Sequence, residues 1–207
     1  MQTEMTGGRH KYPIDEEYLE TLFLKWTYGL LPVEKRIRIF SIIRDIPYAI
    51  VSEWADSEDT MKRMIEENKG WCGPKHRLLL WMFQRLGIKI KYLLVPFRWQ
   101  DQPVSYPDSV RAHFSYLPDS RHLCCMMNLK NSWQILDATW DCPLRMAGFL
   151  VNEPWDGISE TTLAVTRTGD IDNVCFGGVP RKLNRRASFT TDLNEWMEQV
   201  RSGIKFE

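Results

Sequence analysis

No apolar run in the sequence approaches the ~18 residues that cross a bilayer as a helix, and Met1 to Lys11 lacks the charged and apolar regions of a secretory signal. A cytoplasmic location is expected. The chain also lacks net charge: 27 Lys and Arg balance 27 Asp and Glu, which removes the electrostatic case for nucleic acid or an anionic membrane as the main partner. Peptides, proteins and small molecules remain. Cysteine is sparse and odd in number (Cys72, Cys124, Cys125, Cys142, Cys175), and none of the cysteine spacings of zinc sites is present. Reduced thiols are expected, with no disulfide framework, no metal and no cofactor. There is no repeat, no low-complexity segment and no composition break that marks a linker. The 207 residues are therefore read as a single domain, 1–207, with 1–12 as a disordered tail.

What is present is organised around Gly70-Trp71-Cys72-Gly73-Pro74-Lys75-His76 and the apolar stretch Leu78 to Gly87. Leu79, Met82, Phe83 and Leu86 recur at helical spacing, and Leu78, Leu80 and Trp81 fill the other side. The pattern predicts a helix buried nearly all round. Cys72 stands at its N-terminus, among backbone N–H groups without intrahelical partners and at the positive end of the dipole, a setting that suits a nucleophile. A structural cysteine buried for packing is the competing reading.

Three helices are expected before this one: Asp15 to Leu30, Val33 to Arg44, and Ser57 to Glu67, with Gly70 ending the last or bending the chain into Cys72. After Gly87 the pattern changes to strands. Ile88 to Leu94 alternates; Phe97 to Ser109, with Pro103 and Pro107, reads as a long binding loop; Arg111 to Leu117, His122 to Leu129 and Trp133 to Asp137 read as a meander. A strand at Leu163-Ala164-Val165, an unassigned stretch through Gly177-Gly178 and the basic Lys182 to Arg186, and a helix from Thr191 to Arg201 complete the chain. The fold class is α+β, helices packed on an antiparallel sheet.

A nucleophilic thiol needs a base within hydrogen-bond reach and a group that orients the base. Asp137 shares a strand face with Trp133 and Ile135, which points a carboxylate toward core and demands a partner. A turn centred on Lys130-Asn131 sets Asp137 across from Cys124 and diagonal to His122, about 7–8 Å between α-carbons and within reach of an imidazole, whereas a turn at Asn131-Ser132 keeps the face but moves the pair two residues further apart. Competing assignments are His76 as base, one helical turn after Cys72, and Asp141 in place of Asp137. His113 is read as a strand residue, and a metal site from Cys124, Cys125 and Cys142 is disfavoured because adjacent strand residues face opposite ways.

Gly70-Trp71-Cys72, Leu86-Gly87-Ile88 before a strand, His122, and Trp133-x-x-x-Asp137-Ala138-Thr139 together resemble the core of the transglutaminase-like superfamily, over about residues 40 to 141. The resemblance implies a papain-like α+β fold and a Cys72/His122/Asp137 triad carrying out acyl transfer through a thioester, on a peptide, protein or small amide. Two features depart from that pattern: Cys124 stands two after the histidine, where an aromatic residue is common, and Gly73-Pro74 follows the cysteine. An indole N–H can serve as oxyanion donor in that family, and Trp26, Trp54 and Trp71 are the candidates here. Asp137→Asn is expected to keep the fold but favour the wrong imidazole tautomer. The alternative is a non-catalytic binding module holding a peptide on the 97–109 loop and the Trp155 region.

Overall fold

A computed structural model describes residues 16–54, 57, 59–174 and 187–203. The 1–12 tail, Cys175, Gly177-Gly178 and Lys182 to Arg186 lie outside them. The fold is α+β. Helices α1 (Glu16–Thr27), α2 (Pro32–Asp45), α3 (Thr60–Glu66) and α4 (Cys72–Arg85) come first, and strands β1 (Lys89–Phe97), β2 (Ser120–Leu129), β3 (Ser132–Leu136) and β4 (Asp172–Val174) form one sheet in the order β3-β2-β1-β4. Each neighbouring pair is antiparallel. A short helix α5 (Asp108–Arg111) precedes β2, and α6 (Ala187–Arg201) follows the sheet.

Local chemistry explains the helix ends. The Glu34 carboxylate accepts the Leu31 N–H at 2.8 Å and closes the start of α2, where Pro32 has no N–H to leave unpaired. Helix α3 runs out at Glu66, and Asn68 takes a left-handed φ of 48°. Gly70 therefore does not terminate the helix. It pairs with Tyr48 in a parallel bridge, and a Cβ there would lie 2.6 Å from Met64 Cγ.

Helix α4 is the hub of the core. Leu78, Leu79, Leu80, Met82 and Phe83 are buried, each contributing about 1.5–3 kcal/mol of apolar burial. Pro74 sits in the first turn, where a missing N–H breaks no helical bond. Gly73 is there because the Trp71 indole folds over it: a Cβ at 73 would lie 2.7 Å from Trp71 Nε1. The unusual Gly-Pro after Cys72 thus has a packing cause.

Three expectations need correction. Arg111 to Leu117 is not a strand; it holds the end of α5 and a 3-10 turn, Phe114–Tyr116, so β2 pairs with β1. Leu163-Ala164-Val165 is not a strand, because its polar backbone groups are used elsewhere: the Ala164 N–H by Asp137 Oδ2 and the Ala164 carbonyl by Trp140 Nε1. The 97–109 segment is largely irregular, as expected, with one 3-10 turn, Trp99–Asp101, and is packed inward. Phe97 closes β1, while Trp99, Gln102 and Tyr106 are buried. Helix α3 begins at Thr60 and α1 ends at Thr27, both shorter than expected.

Candidate functional site

Hairpin β2–β3 sets the site. Lys130 and Asn131 both have positive φ, 52° and 63°, the conformation a tight two-residue hairpin requires. The register runs from Leu129 opposite Ser132 to Cys125 opposite Leu136. This is the pairing expected from the sequence, and it brings Asp137, one residue past β3, to His122. One premise fails. Trp133, on the face expected to be core, is 42% exposed and lies under Lys91 Nζ, 4.5 Å from the ring centroid. That sheet face is wet at the turn and dry at the other end, where Val95, His122 and Cys124 are buried.

His122 Nε2 donates to Asp137 Oδ2 at 2.7 Å. The carboxylate is held from both sides: Thr139 Oγ1 donates to Oδ1 at 2.6 Å and the Ala164 N–H to Oδ2 at 2.9 Å. Burial opposes charge on both partners, yet their mutual attraction and hydrogen bond prevail. They hold the Asp137 carboxyl well below its ordinary range and the imidazole well above 6.5. The Cys124 and Cys72 side chains lie beside this imidazole and add smaller contributions that raise its pKa. Since Nε2 is taken by Asp137, Nδ1 is the nitrogen left to sulfur. Cys72, His122 and Asp137 are thus brought together.

His76 is bound differently. Its Nδ1–H donates to the Cys72 carbonyl at 2.9 Å, and Nε2 accepts the Ala138 N–H at 3.0 Å. An imidazolium would set two N–H groups against each other, so this ring is neutral. The 3.5 Å approach of Nε2 to Asp137 Oδ1 is a packing distance, not an ion pair. Burial pulls the His76 pKa below its ordinary value. Asp141 is also spoken for: its carboxylate takes Arg201 at 2.8 Å through each oxygen and the Tyr48 N–H. His113 lies beyond α5, bonded to Asp192 at 2.7 Å. Cys125 donates to the His76 carbonyl at 3.5 Å, Cys142 lies beside Arg44 and Asp45, and Cys124 alone of these three reaches His122.

Comparison with known proteins is sparing. No family model and no curated protein matches the chain. Among solved structures, one described as "a Putative Cysteine Protease from Cytophaga hutchinsonii" is similar at 16% identity and a TM-score of 0.40, over 77% of this chain and 48% of that one. The match spans about half of the length of that structure, and so loose a superposition says nothing of the chemistry of this chain.

Sequence reasoning missed Lys75. Its ammonium is fully buried and donates to the Arg44 carbonyl at 2.8 Å and the Thr139 carbonyl at 2.6 Å. Lys75 and His76 thus clamp residues 138 and 139, beside Asp137, to the first turn of the helix that begins with Cys72. Burial draws the Lys75 pKa down to about 7. The available signal was a lysine set into a helix predicted to be apolar all round. Among the three candidate indoles, Trp54 is buried under Arg63, and Trp71 is the one whose Nε1 lies over the residue after Cys72.

Proposed function

We propose that the protein is a thiol hydrolase or acyltransferase of transglutaminase-like type, acting on a peptide, protein or small amide through a Cys72/His122/Asp137 triad. The observation that carries this reading is the fixed His122–Asp137 pair, with the remaining nitrogen of the ring turned to a thiol at a helix N-terminus. Cys72 Sγ attacks the carbonyl carbon as His122 Nδ1 takes the thiol proton. That proton passes to the departing amine or alcohol, leaving a thioester on Cys72. Water or an amine, deprotonated by His122, then releases the acyl group and restores the thiol. Asp137 keeps the proton on Nε2, so that Nδ1 faces sulfur, and balances the imidazolium. The Cys72 N–H, which no side chain caps, and the Trp71 indole N–H supply the oxyanion donors.

The binding-module alternative cannot use the Trp155 indole as a contact, because Trp155 is buried against Phe40 and Phe83 and its N–H is bonded to the Ser159 carbonyl. Alkylation with iodoacetamide tests the choice. Among the described cysteines Cys124 and Cys125 are buried, so the comparison that matters there is Cys72 with Cys142, both partly buried. Cys72 should react much faster than Cys142 at neutral pH and lose that lead in His122→Ala. Equal, slow labelling of both would leave a fold without a nucleophile.

A further inference from the structure

We infer that the segment 152–164 is a strap that holds Asp137 against His122, with Thr161 and Asn152 as positioning residues of that pair. Strand β3 is an edge of the sheet and ends at Leu136, so the ladder does not fix the residue that follows it. The strap does. The Asp137 N–H donates to Thr161 Oγ1 at 2.8 Å, the Asp137 carbonyl accepts from Asn152 Nδ2 at 2.9 Å, and Oδ2 accepts the Ala164 N–H at 2.9 Å. Both side chains are themselves tied. Thr161 bonds the Ile135 carbonyl twice, through its N–H at 3.0 Å and its hydroxyl at 3.1 Å. The Asn152 amide spans Thr162, donating to its carbonyl at 2.8 Å and accepting its N–H at 3.0 Å.

Covering a sheet edge against a second chain would need less. The Glu160 carboxylate on the Ile135 N–H and Thr161 on the Ile135 carbonyl already close the end of β3. What edge cover leaves unexplained is convergence: a backbone donor, a backbone acceptor and a carboxylate oxygen of one residue all go to one segment. Thr161 is 5% exposed and Asp137 1%, so a bond lost here is not readily replaced by water. With both main-chain groups and the side chain held, the carboxylate is kept from swinging away from His122 Nε2, and misplacement of such a group by about 1 Å can cost about 10²-fold in rate. That the held pair serves Cys72 rests on the function proposed above; the holding does not.

NMR titration of the His122 imidazole in the whole chain tests this without any substrate, with iodoacetamide labelling of Cys72 on the same samples. Thr161→Val keeps the shape and removes the hydroxyl. The imidazole pKa should fall by about one unit, tenfold in the preference for the charged pair, and Cys72 labelling at neutral pH should slow by about as much. Thr161→Ser restores the oxygen and should return both readings close to wild type. His76, Cys72 and Cys124 also face this ring and are intact in every variant, so a shift reports Asp137. Should Thr161→Val fold poorly, Asn152→Ala removes the hold on the Asp137 carbonyl and must lower the imidazole pKa in the same direction. A valine or alanine variant that melts lower yet keeps the wild-type imidazole pKa, or a serine variant that fails to restore it, reduces the strap to edge cover and overturns the inference. A pKa that falls as expected in a protein forming no acyl-enzyme would sink the proposed function and leave the strap standing; an active enzyme whose imidazole ignores these substitutions would do the reverse.

Discussion

The first turn of α4 and the start of β2 each bury a histidine beside Asp137, with ring centroids 5.9 Å apart. The two are driven in opposite directions. At His76 a backbone N–H points at Nε2 and a carbonyl at Nδ1, so the site accepts only the neutral ring. At His122 a carboxylate points at Nε2, and the charged ring is favoured. Burial is nearly the same in both places. What differs is whether a donor or an acceptor faces the second nitrogen, and that decides which imidazole can carry a proton.

The sharpest way to break this contrast is to remove each ring. His122→Ala should reduce acyl-enzyme formation by about 10²–10⁴-fold, the range for a positioned general base. His76→Ala should instead unpair the Ala138 N–H and lower stability by about 1–3 kcal/mol, leaving most of the Cys72 alkylation rate. Stopped-flow acylation and thermal melts of the two variants measure this, and a reversed ranking would transfer the base to α4.

Asp137→Asn should act more mildly, by about 10²-fold in turnover, because the loss is one of charge. The Ala164 N–H requires an oxygen at the Oδ2 position, so the asparagine carbonyl stays facing His122 Nε2 and its amide faces Thr139 Oγ1. The tautomer is thereby retained, contrary to the reading from sequence alone. The imidazole pKa should fall, seen by NMR titration; a flipped tautomer in that spectrum would refute the argument.

Smaller still is Lys75→Met, which strips a donor from two buried carbonyls and should destabilise by about 2 kcal/mol. The sign of its pH dependence is fixed. The native lysine titrates near 7 and the unfolded one near 10.5, so over that interval the unfolded state holds more protons and wild-type stability rises with pH. The gap between wild type and variant should widen from pH 7 to 10.5; denaturant melts showing it constant would remove the buried ammonium from the account.

The least effect concerns the wild type against Asp137→Asn across pH. His122, raised in the fold, stabilises fully below 6.5 and loses that contribution as pH climbs toward its native pKa; Asp137, lowered, stabilises fully above 3.8 and loses it on acidification. Their difference in melting temperature should be flat between those values and shrink on either side, at about 2–4 °C per kcal/mol for a chain of this size.

How much of this was readable beforehand depended on whether local pattern or distant chain made the decision. The helix of Cys72 announced itself by periodicity, and the hairpin register followed from the Lys130-Asn131 turn, so His122 and Asp137 could be paired on paper. The Asp137 argument reached the right residue through Trp133, which is exposed. Residues 111–117 misled because a half-polar run fits a strand or a short turn equally. Pro107 and Asp108 start a helical turn there, and the Phe114 ring packs edge-on to Tyr106 at 5.2 Å. Leu163 to Val165 looks like a strand until the Ala164 amide is found on Asp137, 27 positions away. No local signal carries that, nor the reach of Lys75 to the carbonyls of Arg44 and Thr139.

The wet and dry ends of the β2–β3 hairpin bear on how the molecule breathes. Opening should begin at Lys130-Asn131, where Trp133 and Lys91 cover each other at the surface, and travel down the ladder only at rising free energy. Amide protons near Asn128 should then exchange with solvent long before those of Leu123 and Cys125. A hairpin that frays from its turn can lose half its rungs while the imidazole, its carboxylate and the neighbouring sulfur atoms stay in register.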